Sequence, residues 1–163
     1  MRLQNRTKLS VAIPTSLYFL YYLYTSTDWH FLDNLNLIIH EAGHPIFSIF
    51  GSFLGLLGGS LFQVLVPAVF VYYFYHRREY FSASIILFWL GQNLVNVSIY
   101  ARDAVDMNLP LLGGDAVEHD WNTILGLLSL LNHTAFIANG IYAMGVGCIV
   151  CAIIFSFTTS QQN

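Results

Sequence analysis

Residues 35–44 read LNLIIHEAGH, and this stretch decides how the rest of the chain is interpreted. Residues four positions apart on an α-helix lie about 6 Å apart along the axis and point in nearly the same direction. His40 and His44 have this spacing, so both imidazoles can bind one metal ion, with Glu41 beside them as a general base. The stretch therefore predicts a helix that carries a metal-dependent hydrolytic site.

The surroundings of these three side chains are apolar. Ionisable residues in such a helix are costly to insert into a membrane, and they are functional candidates for that reason. The alternative is structural: two buried histidines bond to neighbouring helices while Glu41 is protonated. We favour a metal site with zinc as the cofactor, because zinc hydrolysis needs these ligand types and a carboxylate base at this spacing.

The composition is that of a membrane protein. The 163 residues are 56% hydrophobic and only 9% charged, with a mean hydropathy of +0.59, whereas soluble domains carry about 25% charged residues. No charged residue lies between Glu41 and Arg77 or after Asp120, and about 20 apolar residues suffice to cross the hydrocarbon layer. We therefore expect an integral, multi-pass protein whose partner is the lipid bilayer. Nucleic acid is not expected as a partner, because the sequence has no basic patch with interleaved aromatic residues.

Five hydrophobic blocks divide the chain, at residues 9–24, 35–50, 51–75, 80–101 and 121–157. They predict an all-α polytopic membrane protein with about five membrane-embedded helical segments in a single domain, 1–163. The first span, 9–25, either crosses the membrane or lies at its periphery, and the last span covers 134–157. Four glycines near the start of the third block weaken a helix, so the sequence allows a re-entrant loop there before a span over 61–75.

The distribution of positive charge leaves the orientation open. Cytoplasmic loops carry an excess of Lys and Arg, which would place both the cluster of Arg2, Arg6 and Lys8 and the pair Arg77 and Arg78 in the cytoplasm. Three simple crossings between these two groups would put them on opposite sides. A re-entrant passage or a first segment on the membrane surface would reconcile them.

An HEAGH motif within a hydrophobic segment resembles the site-2-protease class of intramembrane zinc metalloproteases, in particular its small members without soluble domains. The resemblance covers about residues 35–125 and implies a metalloprotease-like core over 33–132. It also implies a membrane-embedded zinc ion with a third ligand, usually an aspartate, from a later segment. The expected reaction is attack by zinc-bound water, activated by Glu41, on a peptide bond of a membrane-embedded protein or peptide.

The chain departs from this class in two places. Pro45 directly follows His44, and proline both disfavours the α conformation of the residue before it and removes a helical hydrogen bond. A kink at this point would present His44 differently. The later Leu-Asp-Gly signature of the class is also absent, since residues 109–114 read LPLLGG, with leucine where the aspartate is expected.

The third metal ligand is therefore open among several residues. We favour Asp120, which stands at the start of an apolar helical run, as the ligand aspartate of the class does. The alternative for Asp120 is an N-cap that only accepts backbone hydrogen bonds. His119 and Asp103 are the alternate ligands, and the remaining candidates are Asp115 and His133.

A polar stripe follows the fourth block at helical spacing, with Gln92, Asn96, Tyr100 and Asp103 on one face. Such a stripe in a membrane helix must face protein or water. In one interpretation Gln92 and Asn96 line a substrate cavity; in the other they form hydrogen bonds that fix helix packing.

Two other functions compete with proteolysis. The chain could be a non-enzymatic membrane protein that binds or transports a metal ion, with Glu41 as a ligand. It could also be an inactive, protease-like scaffold that binds membrane segments without zinc.

Overall fold

The computed structural model describes residues 2–110, 112 and 118–161, and the described residues form helices and no β-strand. The helices, in chain order, are α1 (Arg2–Tyr24), α2 (Phe31–Ser48), α3 (Ser52–His76), α4 (Tyr80–Arg102), α5 (Asp120–Leu127) and α6 (Thr134–Ser160). A short 3-10 helix, Leu131–His133, precedes α6. The all-α class predicted from the sequence is confirmed.

Three segments are long and apolar enough to cross a membrane: Ser52–His76, Tyr80–Arg102 and Leu131–Ser160. Only 33%, 50% and 22% of their most apolar windows are buried inside the protein. Large apolar side chains are exposed on the first and third of these segments, for example Val69 and Phe136, which is the arrangement expected of helices surrounded by lipid. Three of the five predicted segments are therefore found as candidate spans, while α1 and α2 do not belong to this set.

The re-entrant loop that the sequence allowed is not found, because α3 is one continuous helix from Ser52 onward. Its glycines serve close packing against α2. A Cβ added at Gly58 would lie 2.6 Å from Cβ of Phe47 and 2.8 Å from the carbonyl oxygen of Gly43. Small residues let two membrane helices approach closely, so tertiary packing offsets the low helix propensity of this stretch.

The helix α1 runs parallel to α4. Successive contacts join Lys8 to the ring of Phe81, Phe19 to the ring of Phe88, and the Tyr22 hydroxyl to the Gln92 carbonyl. The amine of Lys8 also donates to the carbonyl of Thr159, near the end of α6. The α1–α2 linker therefore lies about halfway along α4, and α1 accompanies only the first half of that helix.

The helix α2 continues toward the opposite end of the bundle. Its contacts with α3 run antiparallel, from His40 beside Gln63 to His44 beside Gly55. Together, α1 and α2 thus extend over the length that α4 covers alone. This arrangement resolves the conflict over orientation, because α1 begins at the same end of the bundle as the α3–α4 turn.

Five of the six Lys and Arg residues lie at this end, and only Arg102 lies at the other. If the three apolar helices cross a membrane, we expect the end with Arg77 to face the cytoplasm.

Thiol labelling tests this topology in a chain with Cys148 and Cys151 replaced by alanine. Glu79→Cys and Gln161→Cys should react with a membrane-impermeant thiol reagent from the cytoplasmic side, and Asp106→Cys only from the other side. Equal labelling of Glu79→Cys and Asp106→Cys from one side would contradict this topology.

Candidate metal centre

Three side chains from two distant segments meet at one point. The Oδ2 atom of Asp120 lies 3.1 Å from Nε2 of His40 and 3.4 Å from Nε2 of His44. All three candidate ligand atoms lie within 4.8 Å of one another. Two imidazole nitrogens and a carboxylate oxygen are the donor types that zinc takes in a catalytic site with three protein ligands.

The far side of each imidazole is held by a hydrogen bond. Nδ1 of His44 lies 2.9 Å from the backbone carbonyl oxygen of Gly55, and Nδ1 of His40 lies 3.2 Å from Oε1 of Gln63. A carbonyl oxygen only accepts, so Nδ1 of His44 carries a proton, and Nε2 is the ring nitrogen that faces Asp120 and would bind a metal ion. Metal-binding histidines in proteins are held by this type of outer partner.

Gly59 of α3 forms the wall opposite the two rings. A Cβ added at this position would lie 2.6 Å from Nε2 of His40 and 2.7 Å from Nε2 of His44. A side chain here would thus occupy the space between the two nitrogens. The absence of a Cβ on Gly59 keeps that space open, and this is the local reason for a glycine in the first third of α3.

Asp120 is placed by α4 and by its own helix. It is the first residue of α5, and the residue that caps the helix is His119, whose Nδ1 accepts from the backbone N–H of Asn122. The Tyr100 hydroxyl accepts from the backbone N–H of Asp120 at 3.2 Å and donates to its carboxylate at 3.4 Å. The N-cap role considered for Asp120 thus belongs to His119, and the carboxylate of Asp120 points at the histidines.

The carboxylate of Asp120 is buried, with 7% of the residue exposed. Burial by itself raises its pKa, but the hydrogen bonds with His40 and His44 outweigh burial and lower the pKa to about 2. Asp120 is therefore ionised at neutral pH, which is the state in which a carboxylate binds a metal ion.

The alternate ligands Asp103 and His119 lie against each other. Oδ2 of Asp103 is 3.3 Å from Nε2 of His119, within ion-pair distance but without hydrogen-bond geometry. The carboxylate of Asp103 also accepts from the backbone N–H groups of Asn108 and Leu109. These contacts hold the segment after α4, and neither residue joins the group formed by Asp120.

The two remaining candidates do not add to this group. His133 lies exposed in the 3-10 helix before α6. Asp115 lies outside the described residues, as do most positions of the LPLLGG stretch beyond Pro110.

A cavity of about 300 Å³ opens beside His40, the one of the three candidate ligands that lines it. Glu41 and His40 line it from α2, Asn96 and Tyr100 from α4, and the α1–α2 linker and Leu109 close its other sides. Asn96 therefore borders the cavity, as one interpretation of the polar stripe requires. Gln92 does not: it is fully buried and bonds to Asp33 and Asn36, so it serves helix packing.

Pro45 does not end the metal-binding helix. The helix α2 continues to Ser48, whose hydroxyl donates to the carbonyl of Pro45 at 2.9 Å. His44 remains on the same face as His40, and the two ring centroids lie 5.0 Å apart.

Three residues at or near this centre were not identified from the sequence: Gly59, Gln63 and Asp33. A signal for two of them is present in the spacing of Gly55, Gly59 and Gln63, which recur every four residues and so share one face of a helix. The signal for the third residue, Asp33, is its spacing from Asn36 and His40, which lie three and then four positions further along α2.

Comparison of the chain with family models, with curated proteins and with solved structures finds no match.

The replacement Gly59→Ala should weaken metal binding at least about tenfold, because the added methyl group enters the space between the two nitrogens. Alanine favours a helix over glycine by about 1 kcal/mol, so weaker binding would not reflect loss of α3. Competition for Zn²⁺ against a chromophoric chelator measures the effect. The control is Gly147→Ala on α6, where an added Cβ meets nothing within 4 Å. Unchanged binding by Gly59→Ala would place the metal elsewhere.

Asp120→Asn keeps the size of the side chain but removes its charge, and we expect it to lower zinc affinity at least about a hundredfold, more than loss of an outer partner does. Asp103→Asn is the matched control and should leave the affinity nearly unchanged. Equilibrium dialysis with metal analysis distinguishes the two variants. The reverse ranking would assign the third ligand to Asp103.

Proposed function

We propose that this protein is an intramembrane zinc metalloprotease that hydrolyses a peptide bond of a membrane-embedded substrate. The observation that carries the proposal is the convergence of His40, His44 and Asp120 on one point beside a cavity that Glu41 lines. The HEAGH motif and the three apolar helices support it, since they combine a hydrolytic site with a multi-pass membrane protein.

The residues present fit a zinc ion. Two imidazole nitrogens and one carboxylate oxygen form the ligand set. The hydrogen bond to Gly55 turns Nδ1 of His44 away, so that Nε2 is the nitrogen a metal ion would bind, and Gly59 leaves room between the rings. When bound, zinc would supply a Lewis acid that lowers the pKa of water toward neutrality and polarises a carbonyl oxygen.

Glu41 is the proposed general base. It follows His40 directly on α2 and faces the cavity, but it does not belong to the group of three candidate ligands. Its carboxylate takes a proton from the attacking water as the new C–O bond forms at the peptide carbonyl. It then gives that proton to the amine nitrogen as the C–N bond breaks, so the overall reaction consumes one water molecule.

The other groups that line the cavity suit a peptide backbone. Asn96 and Tyr100 bring an amide and a phenol hydroxyl to a space that apolar side chains such as Leu37 and Ile99 also border. Polar groups of this kind can bind backbone carbonyl and N–H groups, which are exposed only when a substrate helix unwinds locally. We therefore expect the scissile bond to lie in an unwound stretch of the substrate.

Glu41→Gln tests the mechanism. The variant should bind zinc as the wild type does but lose cleavage by at least about a hundredfold, because the amide cannot accept the proton. Both proteins, reconstituted in liposomes, are incubated with a panel of tagged single-span membrane polypeptides, and the products are identified by mass spectrometry. Glu79→Gln, at the other end of the bundle, is the matched control and should cleave normally.

Two results would reject the proposal. Full cleavage by Glu41→Gln would remove the assigned base. Loss of zinc from Glu41→Gln would make Glu41 a ligand, as expected for a protein that binds or transports a metal ion. A wild-type chain that binds no zinc at all would instead favour the inactive scaffold.

A further inference from the structure

A chain of hydrogen bonds runs from the candidate metal centre along the wall of the cavity, which all four of its residues line. It begins at Nδ1 of His40, passes through the amides of Gln63 and Asn96, and ends at the carboxylate of Asp33. The three distances are 3.2 Å from His40 to Gln63, 2.7 Å from Gln63 to Asn96, and 3.1 Å from Asn96 to Asp33. The chain therefore links α2 to itself by way of α3 and α4.

The carboxylate of Asp33 decides which group donates and which accepts in each hydrogen bond of this chain. Three donors surround the carboxylate: the side-chain amides of Gln92 and Asn96 on Oδ1, and the backbone N–H of His30 on Oδ2. An ionised carboxylate only accepts, so Asn96 must turn its NH₂ group toward Asp33 and its oxygen toward Gln63. Gln63 must then donate to Asn96 and turn its own oxygen toward His40.

A second chain of hydrogen bonds also ends at Asp33, and its donors likewise point toward that carboxylate. The indole N–H of Trp89, which can only donate, bonds to Oδ1 of Asn36 at 2.9 Å. Asn36 donates to Oε1 of Gln92 at 2.6 Å, and Gln92 donates to Asp33 at 2.7 Å. This second chain thus starts at an obligate donor and ends at an obligate acceptor, which makes Asp33 the common end of both chains.

Burial makes reversal of these bonds costly. Asp33 is 3% exposed, Gln63 is 2% exposed, and Gln92 and Asn36 are fully buried. A buried polar group left without a partner costs about 1–3 kcal/mol, and turning a single amide would leave both of its neighbours mismatched.

We propose that Asp33 is a positioning residue that fixes the tautomer of His40 through Asn96 and Gln63. With Oε1 of Gln63 facing the ring, Nδ1 of His40 carries a proton, so the proton on Nε2, which faces Asp120, is the one that a bound metal ion would displace. The inference rests on the proposed metal site and adds a residue whose carboxylate acts through two amides. His44 needs no such device, because a backbone carbonyl holds its Nδ1 directly.

The test is a double-mutant cycle on metal affinity. In Asp33→Asn, one carboxylate oxygen becomes an NH₂ group, which must face either the backbone N–H of His30 or the two amide donors. We expect Co²⁺ affinity to fall tenfold to a hundredfold, as for loss of other outer partners of metal-binding histidines. In a Gln63→Glu background the same change should cost far less, because a carboxylate at position 63 accepts from His40 without help from Asp33.

Asp28→Asn is the matched control, since Asp28 lines the same cavity, and it should bind Co²⁺ as the wild type does. A thermal unfolding midpoint is measured for every variant, because Asp33 also bonds the first turn of α2. In the zinc-bound proteins, the ¹H and ¹⁵N chemical shifts of Nδ1–H of His40 report its hydrogen bond to Gln63 directly: the bond should be present in the wild type and weakened in Asp33→Asn.

An equal loss of Co²⁺ affinity in both backgrounds would reduce Asp33 to a structural residue, and no loss in either would reject the inference outright. A wild-type chain that binds no Co²⁺ would reject the metal site itself. Failure of the inference about Asp33 and failure of the proposed function are therefore separate results.

Discussion

The ion pair between Asp120 and the two histidines imposes the main constraint on this structure. Polar and ionisable groups inside an apolar helical bundle must be paired, since lipid supplies no hydrogen bonds. Asp120 reaches the histidines only because α5 returns to the bundle, where the indole of Trp121 donates to the hydroxyl of Ser60 on α3 at 3.0 Å. The first two residues of the short helix α5 thus hold it in place, Asp120 against α2 and Trp121 against α3.

Small residues let the helices come close enough for these polar groups to find their partners. The helices α2 and α3 approach through Gly43 and Gly58, and this close packing brings the backbone carbonyl of Gly55 within reach of His44. A larger side chain on either surface would separate the helices and leave Nδ1 of His44 without its acceptor. The glycines therefore serve two purposes, since they pack the helices and orient the ring of His44.

The sequence was most informative where local spacing carries the signal. The pair His40 and His44, the continuous apolar segments and the helix beginning at Asp120 all follow from patterns a few residues long. The re-entrant loop that the sequence allowed at the glycine-rich start of α3 is not found, because the packing that compensates for its low helix propensity involves another helix. The helix α1 runs beside only the first half of α4, and its position depends on contacts with α4 and α6 some 70 to 150 positions away along the chain. No local sequence pattern contains such contacts.

The polar stripe on α4 explains why packing and function could not be separated from the sequence. Asn96 lines the cavity and also carries the hydrogen bonds between Gln63 and Asp33, so one amide serves both roles. A site that holds water inside a membrane needs polar walls, and each of those walls needs partners of its own behind it. Here the partners form chains with one direction, which end at a single buried carboxylate. His40 is the end of such a chain that meets the candidate metal centre, so, on the proposed function, the direction of these hydrogen bonds decides which nitrogen of His40 is left to a metal ion.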